Sequence, residues 1–422
     1  MHNWDMVCAV SCSRLNDRLK AVVRENLGTF SWSDEDGNQI AGEFGGWEIA
    51  PGGDSQRINI VTPVLTGSLM LSDDAGGQPE TITVDGLRPM LQVELAFVSA
   101  GNGSRDTHLT FSLVKMCQQE AVVAGEGAVV VLDADTTHLF RHKVMSAVFC
   151  GLMVEMLIAR RDDIGFIFAE LLAPEGGSAW MTLHQISYAF SESISGECGT
   201  LAVLGILAGN PSPQSPGDLQ LVFDSALVRD GGSCGFMVSK AAFMRHVVLP
   251  GLPVVFDGSS AEQFVLGADG VIRNHGAISL NEFKGYTPYF TSLCVEVVDN
   301  RLVFSDAAGR CDVVYDSSYV TFDLSGTFTP LLTRDGSAYR IGVDAVTGPD
   351  FSVVKHDTAA LAFWIFGGWV VDALLGGIEG HMISFMWSFR QYHLHFEVFP
   401  VRFCTGAEYT ACGLAENFWM RD

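Results

Sequence analysis

The string GGSCG, Gly231 to Gly235, sets Ser233 in the G-x-S-x-G spacing of a nucleophile elbow. An elbow needs a strand before the serine and a helix opening directly after it, so that the hydroxyl stands on a strained turn. Here Asp-Gly-Gly precedes Ser233, Phe236 to Val238 follows as a short strand, and a helix begins only near Ser239. The context predicts a plain turn, and no catalytic residue is assigned.

His393 and His395 in YHLHFEVF alternate, so on a strand both side chains would share one face and could ligate a metal. A third ligand, His381 or Cys404, would have to come from the tertiary fold, and the pair reads as ordinary surface or core histidine. SDEDGNQIAGE, Ser33 to Glu43, is acidic, but its glycine comes too early for a calcium-binding loop and strands flank it. It reads as a solvated hairpin. No metal and no cofactor is expected: P-loop, dinucleotide fingerprint, HExxH and CxxC pair are all missing from the sequence. Cys8/Cys12 and Cys404/Cys412 are too weak a pattern for a redox site, and reduced structural thiols are the expectation.

Two carboxylates, Glu155 and Asp372, stand alone in apolar segments. Each is a polar handle for a ligand headgroup or an acid of raised pKa, or more plainly a side chain reaching the rim of an apolar interior or pairing with a buried donor. Trp4, Phe363, Trp364, Phe366 and Trp369 could grip a ligand, but at helical spacing such residues are more often core.

The elements that must position these groups follow from periodicity. Apolar residues at spacings of three and four predict a helix over Trp4–Arg24, with Asn3 as its N-cap. Alternating runs then predict antiparallel hairpins: RINIVTPVL, MLQVELAFV, HLTFSLV and GAVVVLDA. Asp-Gly pairs at 36, 85, 230, 257, 269 and 335 supply turns with positive φ. A second helix, His138–Ala159, carries only Glu155 as a charge across VMSAVFCGLMVEMLIA, so it must be surrounded by protein. MTLHQISYAFSES and CGTLAVLGILAG return to strand, ending in the loop NPSPQSPGD.

The order then repeats. A third helix is predicted over Ser239–Leu249, broken or kinked at Pro250 and Pro253. Hairpins run from Glu262 to about Val343, a fourth helix covers Asp357–Gly376, and closing strands include SFRQYHLHFEVFPVRF. This recurrence of element order suggests a duplication into units 1–235, with part of a central sheet, and 236–422, including the C-terminal strands.

The fourth helix lies within TAALAFWIFGGWVVDALLGGI, residues 358–378. As a helix this run would be about 31 Å long, enough to span a bilayer. No Lys/Arg cluster flanks it, and the chain continues directly into alternating strands that need a sheet. It is expected to be wrapped by protein and not to span a bilayer, while contact with a membrane stays open.

Composition narrows the function. Hydrophobic residues make up 48% and charged residues 18% of the 422, which favours a large interior or an internal apolar cavity. The net charge is −24, with six lysines and no cationic run, which argues against nucleic acid and against anionic bilayers. The N-terminus lacks a basic region followed by an apolar one, so no secretory signal is read and cytoplasmic synthesis is expected, with release possible by a non-classical route.

Three passages resemble the clostridial P-forty-seven family of botulinum neurotoxin gene-cluster accessory proteins: NWDMVCAVSCSRLNDRL, SAWMTLHQISYAFSES and VFDSALVRDGGSCGFMVSKAAFMRHVVLPGL. The resemblance spans nearly the whole chain. It implies the tubular lipid-binding (TULIP) superfamily, in which a long helix is rolled inside a strongly curved antiparallel sheet.

The expected fold is therefore α+β, an elongated tandem TULIP-like arrangement of long apolar helices wrapped by highly curved antiparallel sheets. The expected function is non-enzymatic binding or carriage of a lipid or other apolar small molecule between helix and sheet. Candidate lining residues are Val148, Leu152, Met156, Phe366, Val370 and Leu374. Two alternatives stand beside it: an interaction protein of a toxin or secretion assembly with self-filled tubes, and a membrane-inserting protein using 358–378.

Overall fold

The computed structural model describes the chain except residues 1–2, 73–78, 102–103, 139–140, 142, 174–179, 193–198, 210–218, 230, 257–258, 283, 315–317, 336–337, 358–375, 378–379, 382–393, 397–399 and 407. The chain divides into two compact units. The first comprises Met1–Phe236, Phe399–Glu408 and Arg421–Asp422; the second comprises Met237–Val398 and Tyr409–Met420.

In the first unit the opening residues form a strand, Met6–Ser11, and the helix, α1, covers Cys12–Leu27. This corrects the helix expected over Trp4–Arg24. Met6 to Val10 are all buried, with Thr200–Leu207 paired along the strand, and a strand buried on both faces is a continuous apolar run that spacing cannot tell from helix. Trp4 lies ahead of the strand, where its indole N–H donates to the Gln220 carbonyl at 2.8 Å. From Cys12 the helical period is clear: Cys12, Leu15, Leu19, Val23 and Leu27 are buried.

Three sheets surround this start. Leu183–Ser191, Thr200–Leu207 and Met6–Ser11 lie side by side, antiparallel. Thr29–Ser33, Gln39–Phe44, Val64–Leu71 and Glu80–Thr83 form a second antiparallel sheet, in which Gly37, at φ 83°, makes the hairpin turn expected at Asp36-Gly37. The third runs Lys115–Met116, Ala128–Asp133, Met90–Ser99, Thr107–Ser112, Ile167–Leu171 and Val401–Phe403, with Arg57–Val61 also on Met90–Ser99. Val401–Phe403 pairs with Ile167–Leu171, which is why part of the C-terminus joins the first unit instead of remaining with residues 236–422.

Helix α2, Lys143–Ala159, packs against strands of both the second and the third sheet. Phe149, Cys150, Met153, Val154, Met156 and Leu157 are buried, as its apolar circumference required. At the partner switch in Met90–Ser99, the buried Glu94 carboxylate accepts N–H groups from Gly125 and Gly127 at 3.0 and 2.8 Å. This holds the 117–127 loop to the sheet.

In the second unit Ser239 caps the next helix, accepting from the Ala242 N–H. The helix is α over Lys240–Phe243, π over Met244–Val248 and α again over Leu249–Val255. Of the expected break or kink at the prolines, the break does not occur: the helix continues, leaving α geometry just before them. The Leu249 N–H bonds the Met244 carbonyl five residues back, and this wide turn precedes Pro250, which cannot donate. Beyond it, Arg301–Val314, Ser318–Asp335 and Ala338–Asp357 are antiparallel strands of 14, 18 and 20 residues, bent where their register shifts. The last corrects the start of the fourth predicted helix, since Asp357 is still strand; residues 358–375 lie outside the described part. Phe256, Phe290 and Phe322 meet edge to face in series between helix end and sheet, with centroids 5.8 and 5.5 Å apart.

Candidate functional site

The residues singled out for chemistry do not assemble a reaction centre among the described residues. Ser233 is followed by strand Cys234–Ser239, so the geometry of an elbow is not met. Its amide and hydroxyl donate to the Asp422 carboxylate, as does the Cys234 amide at 3.2 Å. Burial pushes the Asp422 carboxyl up, but the Ser233 hydroxyl and the two amides outweigh it and hold the group below the usual carboxylate range. The acidic stretch Ser33–Glu43 is a hairpin in which Asp34 accepts from the backbone and side-chain nitrogens of Asn38, both at 2.8 Å. Glu155 is exposed on α2.

His395 lies in strand Leu394–Phe396, opposite Arg340, and His381 contacts the Asn281 carbonyl at 3.2 Å. Cys404 belongs to the first unit, its thiol pushed up to about 11 by burial. His393 and Asp372 lie outside the described residues, as do Phe366, Val370 and Leu374. Of the other lining candidates, Leu152 and Met156 are buried in the packing of α2, and Val148 is 37% exposed on its outer stripe.

The first unit contains a half-open groove of about 580 Å³ between the turn at residues 161–167, just after α2, and the third sheet. One wall is made by a reversal of the chain. The short helix α3, Arg161–Ile164, ends on Gly165 at φ 60°, and the Ile164 carbonyl accepts from Asn26 at 3.2 Å. A side chain at Gly165 would meet both that backbone strain and the Asn26 amide at 3.1 Å. The turn buries Ile164 and Phe166 and leaves Ile167 half-buried at the wall.

The opposite wall is the pair Met90–Ser99 and Thr107–Ser112, ending at Val98 and Val114, 43% and 52% exposed. Phe111 lines the groove beside Phe166 and is also packed by Phe168 and Trp47, at centroid distances of 6.2, 4.9 and 6.3 Å. Thr110, Ser112, Arg161 and Asp162 are the polar lining. Apolar walls on a braced aromatic base, with a few polar groups at one side, suit an amphipathic or apolar ligand of modest size.

The family model for OrfX-like proteins, described as Protein OrfX2/OrfX3/P47, matches residues 1–313. The chain belongs to the OrfX-like family. Its relatives include an OrfX3 protein of Paraclostridium bifermentans, 23% identical over 336 residues that cover 71% of this chain and 66% of that one. A P47 protein of Clostridium botulinum (strain Kyoto / Type A2) is 22% identical over 249 residues, covering 59% and 55%. These matches span just under two thirds and about half of the relatives' lengths. Solved structures agree over more of the chain. P47 from C. botulinum A2 superposes with a TM-score of 0.76 at 18% identity, covering 100% of this chain and 97% of that one. P47 of C. botulinum E1 gives 0.72 at 19% identity, covering 99% and 98%. The fold is thus the P47 fold of apolar helices and curved antiparallel sheets, as the sequence resemblance implied.

Sequence reading missed the groove residues. The alternation of Leu109, Phe111 and Leu113 against His108, Thr110 and Ser112 marks a strand, but gives no hint that Val98, Val114 and Ile167 meet around one hollow.

Proposed function

We propose that this OrfX-like chain binds and carries lipids or other apolar ligands without enzymatic chemistry, as an accessory of a toxin assembly. The groove of about 580 Å³ in the first unit carries the reading. An apolar body rests on Val98, Phe111, Val114 and Ile167, with its polar end toward Arg161 and Asp162. The P47 fold supports the reading, because apolar helices packed in curved sheets are suited to hold apolar matter by area. Ser233 in its plain turn supports a binding role over hydrolysis. Cytoplasmic synthesis belongs to the same proposal: among the described residues no disulfide forms, and burial raises the thiols of Cys8, Cys150, Cys234 and Cys311.

The test is organic extraction and mass spectrometry of gently purified chain beside a Val114→Trp, Ile167→Trp double variant that fills the groove. A defined lipid class from the wild type, and several-fold less from the folded variant, is the expected result. Blank extracts from both, with a stoichiometric protein partner co-purifying, would replace it with the interaction-protein reading.

A further inference from the structure

A second concavity of the first unit, about 380 Å³, opens between α1 and the turn after Val401–Phe403, lined by Arg14, Asp17, Arg18, Ala21, Cys404 and Thr405. It shares no residue with the groove. Arg14 and Arg18 stand four residues apart, so their guanidiniums leave α1 on one face, one turn apart. Both are exposed, and among the described residues neither is in an ion pair. Elsewhere in this chain of 49 acidic and 25 basic residues, Lys20, Arg57, Arg273 and Arg310 each reach a carboxylate, so both guanidiniums keep their hydrogen-bonding capacity for a ligand.

The arrangement also works against the helix. Like charges at this spacing repel. Arg14 sits in the first turn, where the helix end is already positive and where α1 has no acidic residue. An anion between the two guanidiniums would reverse both effects, and planar forked donors suit the oxygens of a phosphate group. Asp17, between them in sequence and on the same cleft, narrows the choice. A carboxylate repels a fully ionised oxyanion such as sulfate, but accepts a hydrogen bond from a phosphate oxygen that keeps its proton. Across the cleft Thr405 presents a hydroxyl and Cys404 a neutral thiol.

We propose that this cleft binds a protonated phosphate group, free or as the end of a monoester, gripped by Arg14 and Arg18 and selected over sulfate by Asp17. The site is independent of the lipid-binding reading and stands or falls separately.

Calorimetric titration of the full chain at low ionic strength tests it, with inorganic phosphate, sulfate, glycerol 3-phosphate and dihexanoyl phosphatidate below its micelle concentration as probes. Phosphate should bind saturably, and Arg14→Gln with Arg18→Gln should weaken it about tenfold or more, the effect of losing charge-assisted hydrogen bonds. Asp17→Asn should narrow the gap between phosphate and sulfate, and Arg24→Gln should change neither. Similar affinities for inorganic phosphate and the esters assign a free phosphate; much tighter dihexanoyl phosphatidate assigns a lipid head group. No saturable phosphate binding, sulfate binding as tight as phosphate, or full affinity in the double arginine variant would overturn the proposal.

Discussion

Helices α1 and α2 sit in the same unit and solve different problems. α1 buries one stripe, Cys12, Leu15, Leu19, Val23 and Leu27, and turns Arg14, Asp17 and Arg18 outward. α2 is held by strands of two sheets and buries most of its circumference, leaving Val144, Val148 and Glu155 on a narrow outer line. One-sided packing leaves a face free for polar recognition, which is where the cleft lined by Arg14, Asp17 and Arg18 lies. Two-sided packing makes a helix a filler, so the ligand-sized space appears beside its end, at α3, and not along it.

The largest expected effect breaks that difference at α2. Phe149 is fully buried beside Phe30, so Phe149→Ala should cost about 3–5 kcal/mol in urea unfolding, with little collapse possible between two sheets. Leu15→Ala on α1, backed by protein on one side, should fall lower within about 2–5 kcal/mol. Equal losses would mean that the two packings are equivalent. Glu94→Gln, which replaces one of the two acceptor oxygens by an NH2 donor and so leaves one of the Gly125 and Gly127 N–H groups without an acceptor, should cost about 1–3 kcal/mol and raise hydrogen exchange at Gly125 and Gly127.

The next effect is pH-dependent. Asp422 is held below its ordinary carboxylate value of 3.8 in the folded chain, so its contribution is complete above that value and lost as pH falls through the lowered folded one. Asp422→Asn should therefore destabilise at pH 7, by about 1 kcal/mol for the hydrogen bonds it weakens, and become indistinguishable from wild type in strong acid. A penalty unchanged with pH would show that charge is not what holds the Ser233 turn. The smallest effect sharpens the comparison from the other side: Val144, 71% exposed on α2, should accept Glu with a change within about 0.5 kcal/mol. A large loss there would mean that the outer line of α2 is covered.

Much of the fold was legible because local signals agreed. The Asp36-Gly37 hairpin, the helix start near Ser239 and the helix ending at Ala159 each follow from turn chemistry and period within a few residues. The misreadings fell where two local signals were compatible. Met6 to Val10 suited strand or helix equally until neighbouring strands claimed both faces, and the prolines at 250 and 253 are carried within a continuing helix, Leu249–Val255, that follows a π turn at Met244–Val248.

The sequence by itself determined the class of molecule: an apolar, acidic chain of hairpins and unusually apolar helices, with the passages that mark its family. Those properties are local or additive, and every residue contributes to them independently. Tertiary structure alone decided where hollows lie. Val98, Val114 and Ile167 converge only through strand register and the Gly165 reversal, and Thr405 reaches α1 only because Val401–Phe403 pairs with Ile167–Leu171. Such meetings depend on a register in which a slip of one residue turns each side chain to the opposite face, and no spacing within one segment records it.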